Sequence, residues 1–111
     1  MPFAVRSRHA DGVTVVDVGG EVDIETAPMM RAALATAVDA GLPVVIDLGE
    51  VTFMDSFGFG VLAAAHQRGE QAGTPVLLRS VSQRIRRLLG LLGLDAVLAI
   101  EPEPNGQRPS R

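Results

Sequence analysis

Four of the five residues in Val44-Val45-Ile46-Asp47-Leu48 are apolar and three are β-branched, the length and content of a buried strand. The stretch Val61-Leu62-Ala63-Ala64-Ala65-His66-Gln67-Arg68 consists of good helix formers and predicts a helix over about residues 57–71. Between them lies Phe53-Met54-Asp55-Ser56-Phe57-Gly58-Phe59-Gly60, so Ser56 falls at a strand-to-helix junction. Free backbone N–H groups and the positive end of the helix dipole gather there, and both favour an added negative charge. A hydroxyl at that place is either a modifiable switch or an ordinary helix cap, and Asp55 is equally able to cap.

The same patterning organises the rest of the chain. Residues 3–8 and 13–18 predict two strands joined by Ala10-Asp11-Gly12, a hairpin turn, with the second strand the more apolar. Gly19-Gly20-Glu21-Val22-Asp23 is expected to break that strand. Thr26 is a candidate cap for a helix with Pro28 in its first turn and Met30, Leu34, Ala37 and Val38 on one face. Gly41 fits the position just past that helix, and Pro43 blocks its continuation. Val76-Leu77-Leu78 predicts another strand. Ser82 then caps a helix with Val81, Ile85, Leu88, Leu89 and Leu92 on one face and Arg84, Arg86 and Arg87 elsewhere. Residues 96–100 predict a last short strand. The order β-β-α-β-α-β-α-β implies one α/β domain over residues 3–100, with a mostly parallel mixed sheet, a hairpin edge and helices packed against it. Residues 101–111, rich in proline and polar groups, predict a disordered tail.

Composition narrows the function classes. The 111 residues suit one domain, and a net charge of −3 provides no broad positive field for nucleic acid. There is no cysteine, and the two histidines, His9 and His66, lack metal-motif spacing, so no metal and no cofactor are expected. No apolar run approaches the ~20 residues of a membrane span and no secretory signal opens the chain; the expectation is a cytoplasmic protein without membrane contact. All ten basic residues are arginine, which removes a Walker-A loop and Schiff-base chemistry.

Specific chemistries fare no better. Gly58-Phe59-Gly60-Val61-Leu62-Ala63 fits G-x-G-x-x-A, but no acidic residue stands in 76–80 to bind a ribose, and close helix–sheet packing explains the glycines. Asp23, Asp47 and Asp55 near strand ends suggest a phospho-aspartate receiver, which needs a lysine that the chain lacks. A serine hydrolase needs a histidine near Ser56, yet His66 lies ten residues on, about 15 Å along a helix, and the nucleophile elbow's leading glycine is missing. The expectation is a protein without catalysis of its own.

A family resemblance carries the reading further. Gly20-Glu21-Val22-Asp23, Thr26-Ala27-Pro28, the segment Val51-Thr52-Phe53-Met54-Asp55-Ser56-x-Gly58-x-Gly60-Val61-Leu62 and the closing Gly93-Leu94-Asp95 resemble, in register, the signatures of STAS domains, the fold of bacterial anti-sigma factor antagonists. The resemblance implies a partner-switching protein. Its unphosphorylated form would bind an anti-sigma factor with serine kinase activity and so release a sigma factor. Phosphorylation of Ser56 would end the complex, and a phosphatase would reset it. The alternatives are a STAS scaffold or accessory subunit, in a stress-signalling assembly or transporter, with Ser56 only a helix cap, and a nucleotide-binding module. Phe57 departs from the family, which usually carries a second Ser or Thr there. Asp23, Asp55, Phe57, Gly58 and Phe59 are the expected partner-binding residues. Phe57 and Phe59 point about 200° apart on a helix, so at least one should be exposed, and Phe59 is the expected one. The oligomeric state stays open.

Overall fold

The computed structural model describes residues 2–102. The chain runs β1 (Ala4–Ala10), β2 (Val13–Val22), α1 (Ala27–Asp39), β3 (Val44–Met54), α2 (Ser56–Ala72), β4 (Val76–Arg79), α3 (Gln83–Leu91), a 3-10 turn (Leu94–Ala96) and β5 (Ala99–Ile100). One sheet contains all five strands in the order β1-β2-β3-β4-β5, with β1 antiparallel to β2 and the other pairs parallel. The α/β architecture and hairpin edge expected from the sequence are therefore present. Asp11 and Gly12 hold φ of 54° and 82°, the two positive values that a tight Asp-Gly hairpin requires.

Strand pleating separates two faces. Val16, Ile46 and Leu78 stand side by side across β2, β3 and β4 and are all buried. They share one core with Met30 and Leu34 of α1, Phe59 and Leu62 of α2, and Ile85 and Leu89 of α3. Fully burying each such side chain contributes about 1.5–3 kcal/mol. The alternate positions face the other way and are mixed, with Val15, Val45 and Leu77 in one row and, in the next, Asp17 paired with Arg8 at 2.7 Å and Asp47 with Arg79 at 3.1 Å. All three helices thus cover a single face.

Two strands run further than their apolar stretches suggest. The Gly19-Gly20 pair does not end β2; both glycines pair with β3, which carries one extra residue on either side of them, and pairing continues at Glu21↔Phe53 and Val22↔Met54. The last strand is shorter than expected, because residues 94–96 first form the 3-10 turn. Ser82 caps α3 as expected, accepting from the Ile85 N–H at 3.1 Å. Glu101 still belongs to the ordered edge, its N–H donating to the Leu78 carbonyl at 2.8 Å. The rest of the expected tail, residues 103–111, lies outside the described residues. No described helix is long and apolar enough to cross a membrane.

Candidate functional site

The carboxyl ends of parallel strands are where α/β folds place their sites, and the extensions of β2 and β3 meet there. Val22 and Met54 are the last paired residues, so Asp23 and Asp55 follow side by side. The Asp55 N–H donates to the Val22 carbonyl at 3.1 Å and ties the two strand ends together.

Asp55 has an extended backbone and caps α2, its Oδ1 accepting from the Phe57 N–H at 2.9 Å. That leaves Ser56 as the first helical residue, exposed, with its hydroxyl in no hydrogen bond among the described residues. Ser56 as a helix cap is therefore excluded. The cap belongs to Asp55, whose carboxylate reaches the helix N–H more readily from the preceding position.

Asp23 is spent on its own loop. Its Oδ1 accepts from the N–H groups of Glu25 at 2.9 Å and Thr26 at 3.1 Å. Thr26 does not cap α1 through its side chain. Its hydroxyl instead donates to the Glu21 carbonyl at 2.9 Å and accepts from the Asp23 N–H at 2.9 Å. Together they fix the bend between β2 and α1. Asp47, by contrast, sits within β3, engaged with Arg79, and is not part of this end.

The aromatic assignment reverses. Phe57 is 49% exposed beside Ser56, whereas Phe59 is 4% exposed and part of the core. With Asp55 as the cap, Phe59, Leu62 and Ala65 recur at three-residue spacing on the inward face of α2, and Phe57 is turned outward. Gly58 is buried as well. A Cβ there would stand 2.9 Å from Val22 Cγ1 and would collide with Met54 Cγ, so the glycine lets α2 start directly over the strand ends. Its contribution to any partner contact is indirect, as is that of Phe59.

Two exposed residues went unassigned in the sequence. Ile24 is 61% exposed in the β2–α1 bend, and Met29 is 51% exposed in the first turn of α1. The signals were present: Ile24 is a lone apolar residue between Asp23 and Glu25, and Met29 falls outside the Met30-Leu34-Ala37 spacing. Glu21, Asp23, Glu25 and Asp55 surround the same end, and none is in an ion pair among the described residues. No described cluster of His, Asp and Glu is arranged to hold a metal ion.

The five-stranded mixed sheet with three helices has direct counterparts. Residues 4–105 match the family model described as STAS domain. The chain belongs to the STAS family. This STAS chain is 36% identical over 106 residues to an anti-sigma-B factor antagonist of Listeria monocytogenes, covering 92% of each chain. It is 38% identical over 84 residues to the anti-sigma-F factor antagonist RsfB of Mycobacterium tuberculosis, covering 73% of this chain and 69% of that one. The crystal structure of an anti-sigma factor antagonist from Mycobacterium paratuberculosis superposes with a TM-score of 0.83 at 32% identity, covering 95% of this chain and 90% of that one.

Proposed function

We propose that this STAS protein is an anti-sigma factor antagonist whose unphosphorylated form binds an anti-sigma factor with serine kinase activity, freeing the sigma factor. Ser56 is the phospho-acceptor that ends the complex, and a phosphatase restores the binding form. The observation that carries this is the Ser56 hydroxyl itself, exposed at the first position of α2 and relieved of capping by Asp55. The relatives' names as antagonists support the partner class.

The physical account of the switch starts from charge. A phosphoserine carries about −1.5 to −2 at neutral pH. It would stand among Glu21, Asp23, Glu25 and Asp55 and next to the Phe57 ring. A partner that has closed over this end must strip water from the added dianion, at a cost of several kcal/mol unless cations are placed to receive it. The carboxylates of Glu21 and Glu25, without a side-chain hydrogen bond or ion pair among the described residues, favour a docking surface that brings positive charge to the rim.

The test is to incubate the protein with ATP and each ATP-dependent anti-sigma kinase encoded in its source genome, then map modified residues by mass spectrometry. Phosphate on Ser56 alone, with loss of the complex in the modified protein, is expected. Modification persisting in Ser56→Ala, on Thr52 or Ser82 for example, would overturn the assignment.

A further inference from the structure

Single exposed apolar side chains are ordinary on a protein surface, but a group of them at one place is not. Ile24, Met29 and Phe57 come from three separate segments: the β2–α1 bend, the first turn of α1 and the first turn of α2. The paired ends of β2 and β3 bring those segments to the end of the molecule that carries Ser56. None of the three belongs to the core.

We propose that Ile24, Met29 and Phe57 are the anchors that select this protein's kinase partner, inserting into an apolar depression on that partner while its cationic rim faces Glu21 and Glu25. The inference rests on the function proposed above and adds which residues confer choice of partner. Phe57 is the central anchor. An aromatic ring offers large contact area with only two side-chain torsions to immobilise, and such residues dominate binding energy when a partner covers them.

The bend is built to present Ile24 in advance. Asp23 accepts two backbone N–H groups from the residues just past Ile24, and Thr26 bridges Glu21 to Asp23. The loop is therefore locked before any partner arrives, which removes an ordering cost from association. Asp23 acts here as a positioning residue. The backbone of Phe57 is held in the same way, its N–H donating to the Asp55 carboxylate.

The exposed Phe57 ring also bears on which partners fit. The Phe57 ring would need a recess on the partner where a small residue would not. Kinases shaped for a small residue at that position should bind this chain poorly, which keeps parallel switching systems apart.

The test uses the full chain and the kinase that phosphorylates Ser56 in the experiment above. Isothermal calorimetry with Phe57→Ala should show at least tenfold weaker binding, Ile24→Ala and Met29→Ala about three- to tenfold, and Phe57→Leu less than threefold. Leu91→Ala, an exposed leucine at the end of α3, serves as the control and should bind as wild type. In phosphorylation kinetics, Phe57→Ala should raise KM at nearly unchanged kcat, the signature of lost docking rather than lost chemistry. Thermal melts of all variants should coincide with wild type, since the replaced side chains are exposed. If the kinase binds Phe57→Ala, Ile24→Ala and Met29→Ala within twofold of wild type, the anchors are elsewhere and the inference fails alone. If no kinase phosphorylates Ser56, the functional proposal falls and takes this inference with it.

Discussion

Truncating Phe59 to alanine removes a ring that touches the core and leaves a void that α2 cannot close while Gly58 holds it over the strand ends. Phe59→Ala should therefore destabilise the fold by about 3–5 kcal/mol, read from urea unfolding. Phe57→Ala, two positions earlier, should stay within about 0.5 kcal/mol of wild type in the same experiment. Gly58→Ala should cost about 1–3 kcal/mol, because the new methyl meets Val22 and Met54. Sequence alone established that two aromatics two positions apart on a helix cannot both be buried. It did not establish which one is, since that depends on whether Asp55 or Ser56 caps, and both are good caps. Resemblance favoured Phe59 as the exposed ring and packing decided otherwise. Ser56 itself was legible, because the change from strand pattern to helix pattern bracketed it tightly.

At the level of elements, the start of α2 separates the roles of neighbouring residues. Asp55→Ala should remove the cap and cost about 1 kcal/mol, which lowers the melting temperature by about 4–8 °C for a domain near this size. Ser56→Ala should leave that temperature almost unchanged while abolishing phosphorylation. A melting temperature that falls for Ser56→Ala and not for Asp55→Ala would mean that the capping assignment is reversed. The strands were readable where they are continuously apolar, as in Val44–Leu48, and unreadable where they are irregular. Gly19-Gly20 looks like a strand terminus because glycine usually ends pairing. Here both glycines stay paired, and one extra residue of β3 on either side of them lets β2 and β3 continue to Val22 and Met54. That continuation brings Asp23 next to Asp55 and creates the exposed Ile24-Met29-Phe57 group, so the feature that hid the strand extension also hid the anchors.

Across the whole molecule, two surface ion pairs should add a modest part to the acid limb of stability. A hydrogen bond from Arg8 holds the Asp17 carboxyl below the usual carboxylate range, and one from Arg68 does the same for Asp39. For a carboxyl lowered in the folded state, the stabilisation is complete above its unfolded value near 3.9 and is lost as pH falls through the lower folded value. Thermal melts should hold steady from pH 7 to about 5 and decline below about 4. Asp39→Asn should flatten part of that decline, and added salt should shrink the difference, because both pairs are exposed to solvent. An unchanged acid limb in Asp39→Asn and Asp17→Asn would assign the decline to other groups.

The strand order, identical to the order along the chain, governs how the molecule can be built. Every strand hydrogen-bonds to the one made just before it, so no strand waits for a distant partner. Protein synthesis delivers about 5–20 residues per second, slower than hairpins and helices form. Each new β-α segment leaving the ribosome therefore finds its template already present, and the sheet can grow by one edge at a time in the direction of translation. Folds whose central strands are made last must keep sticky edges open until then. Besides the outer side of β1, this one exposes only its newest edge, and each parallel pairing closes over a single intervening helical segment.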